Sequence, residues 1–283
     1  MRRLYCLALG SCFFATAAVA QQAGTETMPS ASDIANKDMV TVAIGVGETP
    51  DYVGSDDYRA IPAAAIRGKL SGYSFFTNGT YLYFDAISHR GASKIDFDVG
   101  PIVGLRFNRT GHVDDPVVKL LPERRMAIEA GAFAGVSIHG LLDPYDTLSL
   151  RLDVLHDLAN AHKSTTFGPN VTFSTPLSLK TYASLSAGAE FVSNRFADYY
   201  FSIDPSDSAR SGLPVFNANG GMKNWKVGLL LNQSITGNLL GGFSVFGTGQ
   251  YSRLVGDFKR SPIVSERGTA NQWLGVAGLA YTW

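Results

Sequence analysis

Apolar and polar residues alternate with a period of two through most of the chain after Met39. Between Lys94 and Asn108 one face carries Phe97, Val99, Pro101, Val103, Leu105 and Phe107, and the other carries Asp96, Asp98, Gly100, Ile102, Gly104 and Arg106. Alternation of this kind predicts β-strands whose two faces meet different surroundings. The pattern recurs in segments 126–139, 146–157, 177–192 and 222–236. We therefore expect an all-β protein.

Two all-β architectures produce such alternation, a soluble sandwich and a membrane barrel. The predicted strands, 126–139 and 239–253 among them, are much longer than the ~5–6 residues usual in soluble proteins, and they reach the ~9–11 residues that a tilted membrane strand needs. Many charges lie on the less apolar face, where a sandwich would bury them at high cost. These charges are Asp96, Asp98, Arg106, Glu129, Arg151, Asp153, Lys180, Glu190 and Lys226. We predict an antiparallel transmembrane β-barrel of the outer-membrane type, with these charges in the lumen.

The number and order of the strands follow from the same pattern. Twelve segments qualify: 39–48, 59–68, 71–77, 80–88, 95–107, 126–139, 146–157, 164–175, 177–192, 222–236, 239–253 and 271–283. Twelve is an even number, as single-chain barrels require, and ten is the alternative if the 59–77 region pairs differently. If the first strand rises from the periplasm, the long connections 49–58, 108–125, 193–221 and 254–270 lie outside the cell. The short connection at Asn78-Gly79, a strong hairpin signal, also falls at the outer end.

The inner face carries charges of both signs, so that its side chains can pair with one another. A barrel of ~12 strands lies between one filled by side chains and an open channel. Phe133, Leu230 and Phe246 add bulk to the same face. We therefore predict that the lumen is plugged, with a wide pore as the alternative.

The N-terminus predicts export. Arg2 and Arg3 precede an uncharged run that ends in Ala18-Val19-Ala20, the pattern of a signal peptide cleaved after Ala20. Residues 21–38 are polar and are expected to form a flexible periplasmic lead-in to a barrel over 39–283. Both cysteines lie within the first 20 residues, so no disulfide is expected in the mature chain.

The C-terminal strand ends in an alternating aromatic pattern. Leu279, Tyr281 and Trp283 share one face of the last strand. This resembles the C-terminal signal read by the outer-membrane assembly machinery of bacteria. We predict that these three residues form such a signal.

Composition and motifs reduce the range of possible functions. Lys plus Arg (24) equals Asp plus Glu (24), which argues against a nucleic-acid partner. The sequence lacks recognisable metal, nucleotide or nucleophile motifs, so we expect no cofactor and no enzyme activity. Some outer-membrane barrels are proteases, which pair acidic residues with a His-Asp couple. In this chain His156-Asp157 and Asp56-Asp57 are the residues that could form such a site. However, Asp56-Asp57 lies in a Gly-Ser-Asp-Asp-Tyr turn, where Asp side chains commonly bond the backbone.

Local motifs point to a family. They are Pro50–Arg59 with Pro62, Gly100–Arg106, Tyr199-Tyr200-Phe201 before Ser211–Pro214, Arg253–Asp257 followed by Ser261–Val264, and the terminal Gly278–Trp283. Taken together they resemble the MipA/OmpV family of outer-membrane proteins over residues 39 to 283. The motif residues of the loops are Asp51, Tyr52, Gly54, Ser55, Asp56, Asp57, Asp257, Ser261 and Pro262.

This resemblance implies an outer-membrane barrel and, beyond that, a non-enzymatic scaffold that links murein-synthesising and murein-hydrolysing enzymes. The family is named for interaction with the lytic transglycosylase MltA, and no catalytic residue comes with it. The implied partners are outer-membrane lipid, the assembly machinery, and murein hydrolases or synthases, with 21–38 as their expected contact site. A narrow channel for small solutes or ions is the alternative function. An adhesin that uses loop 193–221, with Tyr199, Tyr200 and Phe201, is a further one.

Overall fold

A computed structural model describes residues 29–91 and 93–283. Twelve strands form the wall: β1 Met39–Pro50, β2 Tyr58–Leu70, β3 Tyr73–Asn78, β4 Tyr81–Phe84, β5 Ile95–Arg106, β6 Ala127–His139, β7 Thr147–Asp157, β8 Thr165–Pro176, β9 Thr181–Val192, β10 Gly221–Ser234, β11 Gly242–Leu254 and β12 Asn271–Thr282. The helices are α1 Ala31–Asn36, α2 Asn194–Phe201, α3 Pro205–Ser211, α4 Gly256–Arg260 and α5 Pro262–Ser265, with a 3-10 turn at Val118–Leu120. The predicted signal peptide, its cleavage site and the first part of the lead-in lie outside the described residues.

Each strand pairs antiparallel with its neighbour in sequence, and β1 pairs with β12 to close the barrel. At this seam Gly45 lies opposite Gly278. A Cβ on Gly45 would lie 2.3 Å from the carbonyl oxygen of Ala277, so glycine permits the close approach of the two strands. The prediction of a closed antiparallel barrel with twelve strands is confirmed, and ten strands is wrong.

The third and fourth strands are shorter than the sequence pattern predicted. β3 begins at Tyr73 because Ser71 and Gly72 form a turn with positive φ angles, and β4 ends at Phe84. The turn between them has Gly79 at φ 58°, as in a tight hairpin turn whose first central residue is glycine. The Asn78-Gly79 hairpin signal is therefore confirmed.

The outside of the barrel is apolar. Ile44, Val46 and Phe97 are 64%, 72% and 69% exposed, as expected of side chains that face lipid. An aromatic cluster marks each end of this band: Trp225, Tyr251 and Trp273 at one, and Phe243, Tyr281 and Trp283 at the other. Within the described residues, the helices are too short and too polar to cross a membrane.

The two ends of the barrel differ in their connections. The segments 51–57, 107–126, 193–220 and 255–270 lie at one end, and the connections 71–72, 85–94, 140–146, 177–180 and 235–241 lie at the other. Long loops face outward and short turns face the periplasm in outer-membrane barrels. The three longest connections, 107–126, 193–220 and 255–270, share the predicted outer end, where a large cluster of buried apolar residues also lies.

Candidate functional site in the lumen

The four long outer connections pack together into what we call the outer cap (51–57, 107–126, 193–220 and 255–270). Its apolar core comprises Tyr52, Val113, Val118, Leu121, Val192, Phe196, Ala197, Tyr200, Phe201, Ile203, Leu213, Ala218, Leu254, Phe258, Ile263 and Val264. Local sequence favours its helices. Ser193 caps α2, and Asp204 caps α3 ahead of Pro205 at the first helical position. The outer end of the barrel is therefore covered by a packed layer.

Residues of the family motifs hold this cap together. The hydroxyl of Tyr52 donates to the carbonyl oxygens of Ile263 (3.1 Å) and Arg267 (3.0 Å). Ser261, just before α5, donates its hydroxyl to the carbonyl oxygen of Phe201 at 2.5 Å. Burial raises the pKa of the Tyr52 phenol, and the nearby Asp115 acts in the same direction. These contacts join three of the four cap segments.

Close packing and the backbone conformation require glycine at position 54. Gly54 has φ of 106°, and a Cβ at this position would lie 2.4 Å from a methyl group of Val264. Its amide donates to the side-chain oxygen of Gln272 at 2.8 Å, and Ser55 forms a β-bridge with Gly268. Only glycine meets both the space and the backbone angle.

The remaining motif residues also make structural contacts. The buried Asp51 accepts a hydrogen bond from the Asp114 amide (3.0 Å), and Asp57 donates its own amide to the Ser55 hydroxyl (3.0 Å). Asp257 accepts from the Asn219 amide at 2.9 Å. Asp56 is exposed, and Pro262 begins α5.

An ion pair within the cap joins Asp115 to Arg267, with Arg267 Nη2 donating to Asp115 Oδ2 at 2.7 Å. The amides of Val117 and Val118 donate to the same carboxylate at 2.8 Å. Burial acts to raise the pKa of Asp115, but the hydrogen bonds from Arg267 and these amides outweigh it and lower the pKa. The carboxylate is therefore held in its charged form.

Directly below the cap lies an outer ionic cluster in the lumen. Glu129 is fully buried and accepts hydrogen bonds from Arg106 Nε (2.9 Å), from the Tyr81 hydroxyl (2.5 Å) and from His162 Nε2 (2.9 Å). Arg106 also pairs with Glu190 at 3.0 Å. The sequence analysis placed Arg106, Glu129 and Glu190 in the lumen, and the structure brings all three together.

Three members of this cluster, Tyr81, Lys223 and His162, were not predicted. Lys223 Nζ lies 2.5 Å from Glu190, although a strict period of two would turn Lys223 to the same side as Trp225. A bulge between Met222 and Asn224 shifts the register there and turns the lysine inward. His162 lies in the loop after β7, where no alternating pattern exists.

A second ionic group lies on the lumen face of β7 and reaches to β4. Arg151 Nε donates to Asp153 at 2.7 Å, and the same carboxylate accepts from the Tyr83 hydroxyl at 3.1 Å. The Arg151 guanidinium lies 4.6 Å from the Tyr83 ring centre, and Tyr83 packs against Phe133. Arg151, Asp153 and Phe133 therefore face the lumen and contact one another through Tyr83.

The two lysines among the predicted lumen charges lie in different places. Lys226 lies on the inner face beside Gly188 of β9 and interacts electrostatically with Glu190. Lys180 instead is an exposed residue of the turn 177–180, at the periplasmic end. Its placement among the lumen charges is corrected, because the alternation does not extend beyond the start of β9 at Thr181.

A third group, which we call the periplasmic cluster, lies at the other mouth and comprises Asp85, His89, Asp96, Asp98 and His139. His89 Nε2 is 3.0 Å from Asp85 and 3.4 Å from Asp98, while His89 Nδ1 is 3.4 Å from Asp96. His139 Nε2 is 3.1 Å from Asp96. Of the described residues, Asp85, His89 and Asp98 place three potential metal ligands within 4.8 Å of one another. The sequence analysis identified Asp96 and Asp98 but not their partners.

The residues just before β1 dock across this same mouth. The Asp38 carboxylate accepts from the Ser71 amide (2.7 Å), and the Asn36 side chain accepts from the Gly91 amide (2.7 Å). Lys37 donates to the Leu240 carbonyl (3.1 Å), and the Tyr145 hydroxyl donates to the Pro29 carbonyl (3.2 Å). Segment 29–38, with α1 inside it, thus contacts four periplasmic turns.

The constellation weighed for hydrolysis does not form a catalytic couple. The His156 ring faces outward and bonds the Thr165 hydroxyl at 2.9 Å. Asp157 faces inward and accepts the amides of His162 (2.8 Å) and Lys163 (3.0 Å). The two neighbours therefore lie on opposite faces of β7 and serve the local structure.

Comparisons with known proteins cover the barrel and the cap together. The chain matches the family profile described as "MltA-interacting protein MipA" over residues 42–283. Two proteins called MltA-interacting protein, from Escherichia coli K12 and Shigella flexneri, are each 26% identical over 289 residues, covering 100% of this chain and 99% of theirs. Among solved structures, the NanC porin is 10% identical with a TM-score of 0.46, covering 85% of this chain and 98% of that one.

Proposed function

The chain belongs to the MipA family of MltA-interacting proteins, and from this premise we propose that it is a scaffold that links murein-synthesising and murein-hydrolysing enzymes at the outer membrane. It is an outer-membrane β-barrel, because its closed wall presents an apolar, aromatic-edged surface. A murein enzyme would approach it from the periplasm. The periplasmic end is therefore where the contact belongs.

The observation that carries the proposal is the difference between the two ends of the barrel. The outer end is covered by the cap, and two ionic groups lie in the lumen below it. The periplasmic end presents segment 29–38 together with the turns that it contacts. A packed outer end and paired charges in the lumen favour the periplasmic surface as the functional face.

One turn on this face has the features of a protein contact. Leu142 is 87% exposed, and its amide donates to Asp146 Oδ2 at 2.7 Å. Burial tends to raise the pKa of Asp146, but backbone amides from the same turn lower it overall. The turn thus presents a large apolar side chain from a fixed backbone. Leu141 beside it is 45% exposed, so that the turn offers two neighbouring apolar side chains to a partner.

The test is co-purification with a purified murein hydrolase of the MltA type. We expect deletion of 22–37 and the substitution Leu142→Glu each to reduce the retained hydrolase at least severalfold, without loss of the folded, heat-modifiable barrel. Leu158→Glu is the matched control, because Leu158 is 61% exposed but lies at the outer end. Undiminished retention by both periplasmic variants would contradict the proposal.

A narrow channel is the alternative function, favoured by the charged inner face. Conductance of the refolded protein in a planar bilayer distinguishes a channel from a scaffold. The double variant Asp96→Asn/Asp98→Asn is measured for comparison. We expect a silent barrel. Discrete steps whose ion selectivity changes in the variant would favour transport. The adhesin reading is weakened, because Tyr200 and Phe201, two of its three aromatic residues, are fully buried in the cap.

A further inference from the structure

We propose that the periplasmic cluster is a binding site for one divalent transition-metal ion of the Zn²⁺ class, held by Asp85 Oδ2, His89 Nε2 and Asp98 Oδ1. This inference is independent of the scaffold function. It rests on side chains that the topology brings together from the end of β4, the loop 85–94 and the lumen face of β5.

The spacing of the three atoms suits a metal. In tetrahedral coordination with bonds of about 2.1 Å, neighbouring ligand atoms lie about 3.4 Å apart. His89 Nε2 is 3.0 Å from Asp85 Oδ2 and 3.4 Å from Asp98 Oδ1. All three atoms lie within 4.8 Å of one another. A fourth position, open to water, would complete the set.

Each ligand is also oriented by a further partner. Asp85 uses its other oxygen, Oδ1, to accept the amides of Ile87 (3.0 Å) and Val99 (3.3 Å). Asp98 uses its other oxygen to accept the Ser137 hydroxyl at 2.6 Å. In both carboxylates the remaining oxygen faces His89 Nε2, where a bound ion would replace the direct contact with the ring.

Both ring nitrogens of His89 face carboxylates. Nε2 bonds Asp85 Oδ2 at 3.0 Å and Nδ1 lies 3.4 Å from Asp96 Oδ1, so that an ion bound at Nε2 would replace the proton there while a proton on Nδ1 would point to Asp96. A carboxylate behind a ligating imidazole is the usual arrangement around protein-bound zinc. His139, at 3.1 Å from the other oxygen of Asp96, positions that carboxylate in turn.

Charge in the cluster also calls for a cation. Asp85, Asp96 and Asp98 surround the His89 ring, and His139 lies 3.1 Å from Asp96. With both imidazoles uncharged the group carries three negative charges, and Lys69, which interacts electrostatically with Asp85 and Asp96, offsets one of them. A divalent ion would balance the group.

An ion can reach the site from the periplasm. The side chains of His89 and Asp98 are 13% and 24% exposed, whereas that of Asp85 is 5% exposed. The carboxylates alone would also suit Ca²⁺ or Mg²⁺, but those ions prefer six or more oxygen ligands. The imidazole nitrogen and the small number of ligands favour Zn²⁺.

The experiment is calorimetric titration of the untagged, metal-stripped, refolded barrel with ZnCl₂, with MgCl₂ and CaCl₂ for comparison. We expect one Zn²⁺ per chain, and an affinity at least tenfold lower in both His89→Gln and Asp98→Asn. Asp96→Asn, which removes only the carboxylate behind the ring, should weaken binding about tenfold. His112→Gln is the matched control, because His112 pairs with Asp114 at 3.3 Å in an exposed outer loop. It should bind as the wild type does.

A second measurement requires no variant. Arg90 and Lys94 lie in the loop that carries His89, so that bound Zn²⁺ should protect this loop from trypsin several-fold. Absence of stoichiometric binding by the folded wild type, equal binding by His89→Gln, or loss of binding in His112→Gln would overturn the proposal. The protein partner is absent from both assays, so their failure leaves the scaffold proposal standing.

Discussion

The outer ionic cluster makes a quantitative prediction for Glu129→Gln. Glutamine retains the shape of the side chain and one acceptor oxygen, so that it removes the charge with little change in volume. Arg106 and Lys223 would then share only Glu190, and a buried positive charge would lose its partner. The substitution therefore measures the electrostatic contribution of Glu129 to the stability of the barrel.

The magnitude follows from the distance. At 2.9 Å between Arg106 Nε and Glu129 Oε1, and an effective dielectric constant of about 20, the attraction is about 6 kcal/mol before desolvation. Desolvation of the two charges opposes it, and loss of one partner of a buried pair usually costs about 3–5 kcal/mol. We expect Glu129→Gln to lower the free energy of unfolding by that amount.

Combination with Lys223→Met tests the explanation. The double variant leaves Arg106 paired with Glu190, a balanced pair, so that its cost should fall short of the sum of the single costs by about 1–3 kcal/mol. The assay is guanidinium unfolding in lipid vesicles, followed by tryptophan fluorescence. Arg260→Gln, at a surface pair with Asp257, is the control and should cost less than about 1 kcal/mol. A Glu129→Gln barrel within 1 kcal/mol of wild type, or strict additivity, would refute the reasoning.

Three further predictions concern the cap and the last strand. Gly54→Ala should loosen the cap by about 1–3 kcal/mol, because the new methyl group meets Val264 and the backbone φ is positive, and hydrogen exchange should rise in the outer loops but not in the strands. The pKa of Asp115 is lower in the folded state than in the unfolded chain, so its pair with Arg267 contributes stability above pH ~3.9 that is lost as pH falls through the lower folded pKa. Hydrogen exchange in the cap should therefore rise on acidification below about pH 4, and Asp115→Asn should show the rise already at pH 7. Deletion of Trp283 should reduce outer-membrane yield in cells, and an unchanged yield would show that the assembly machinery does not read this residue.

The sequence predicted the barrel well because one physical rule governs its strands. Side chains alternate between lipid and lumen, so Asp96, Arg106 and Glu129 could be assigned to the lumen from their position alone. The rule fails where the backbone departs from it. Lys223 faces inward through a bulge that no period of two reveals, and Lys180 lies in a turn that the pattern had been extended to cover.

The cap was missed for a different reason. The sequence pattern predicts a loop over 193–221, although Ser193 before Phe196 and Tyr200 is a helix start followed by apolar residues one turn apart. Its burial depends on contacts with three other loops, which lie far away in sequence. The contact between His89 and Asp98 also could not be predicted from local sequence, because it forms only through the register between β4 and β5, which brings the ends of these strands together.

The contrast between the ends bears on the function more than the lumen charges do. In the cap, the residues of the family motifs are used for packing and backbone hydrogen bonds, as with Tyr52 and Ser261, so that what they maintain is closure. At the periplasmic mouth, ionisable side chains remain partly exposed around His89, and segment 29–38 bridges the turns. The outer loops of this barrel are packed against one another, whereas its periplasmic end presents partly exposed ionisable side chains and the docked segment 29–38. Changes at the periplasmic end can therefore be made without disturbing the packing of the cap, so that binding and stability can be tested separately.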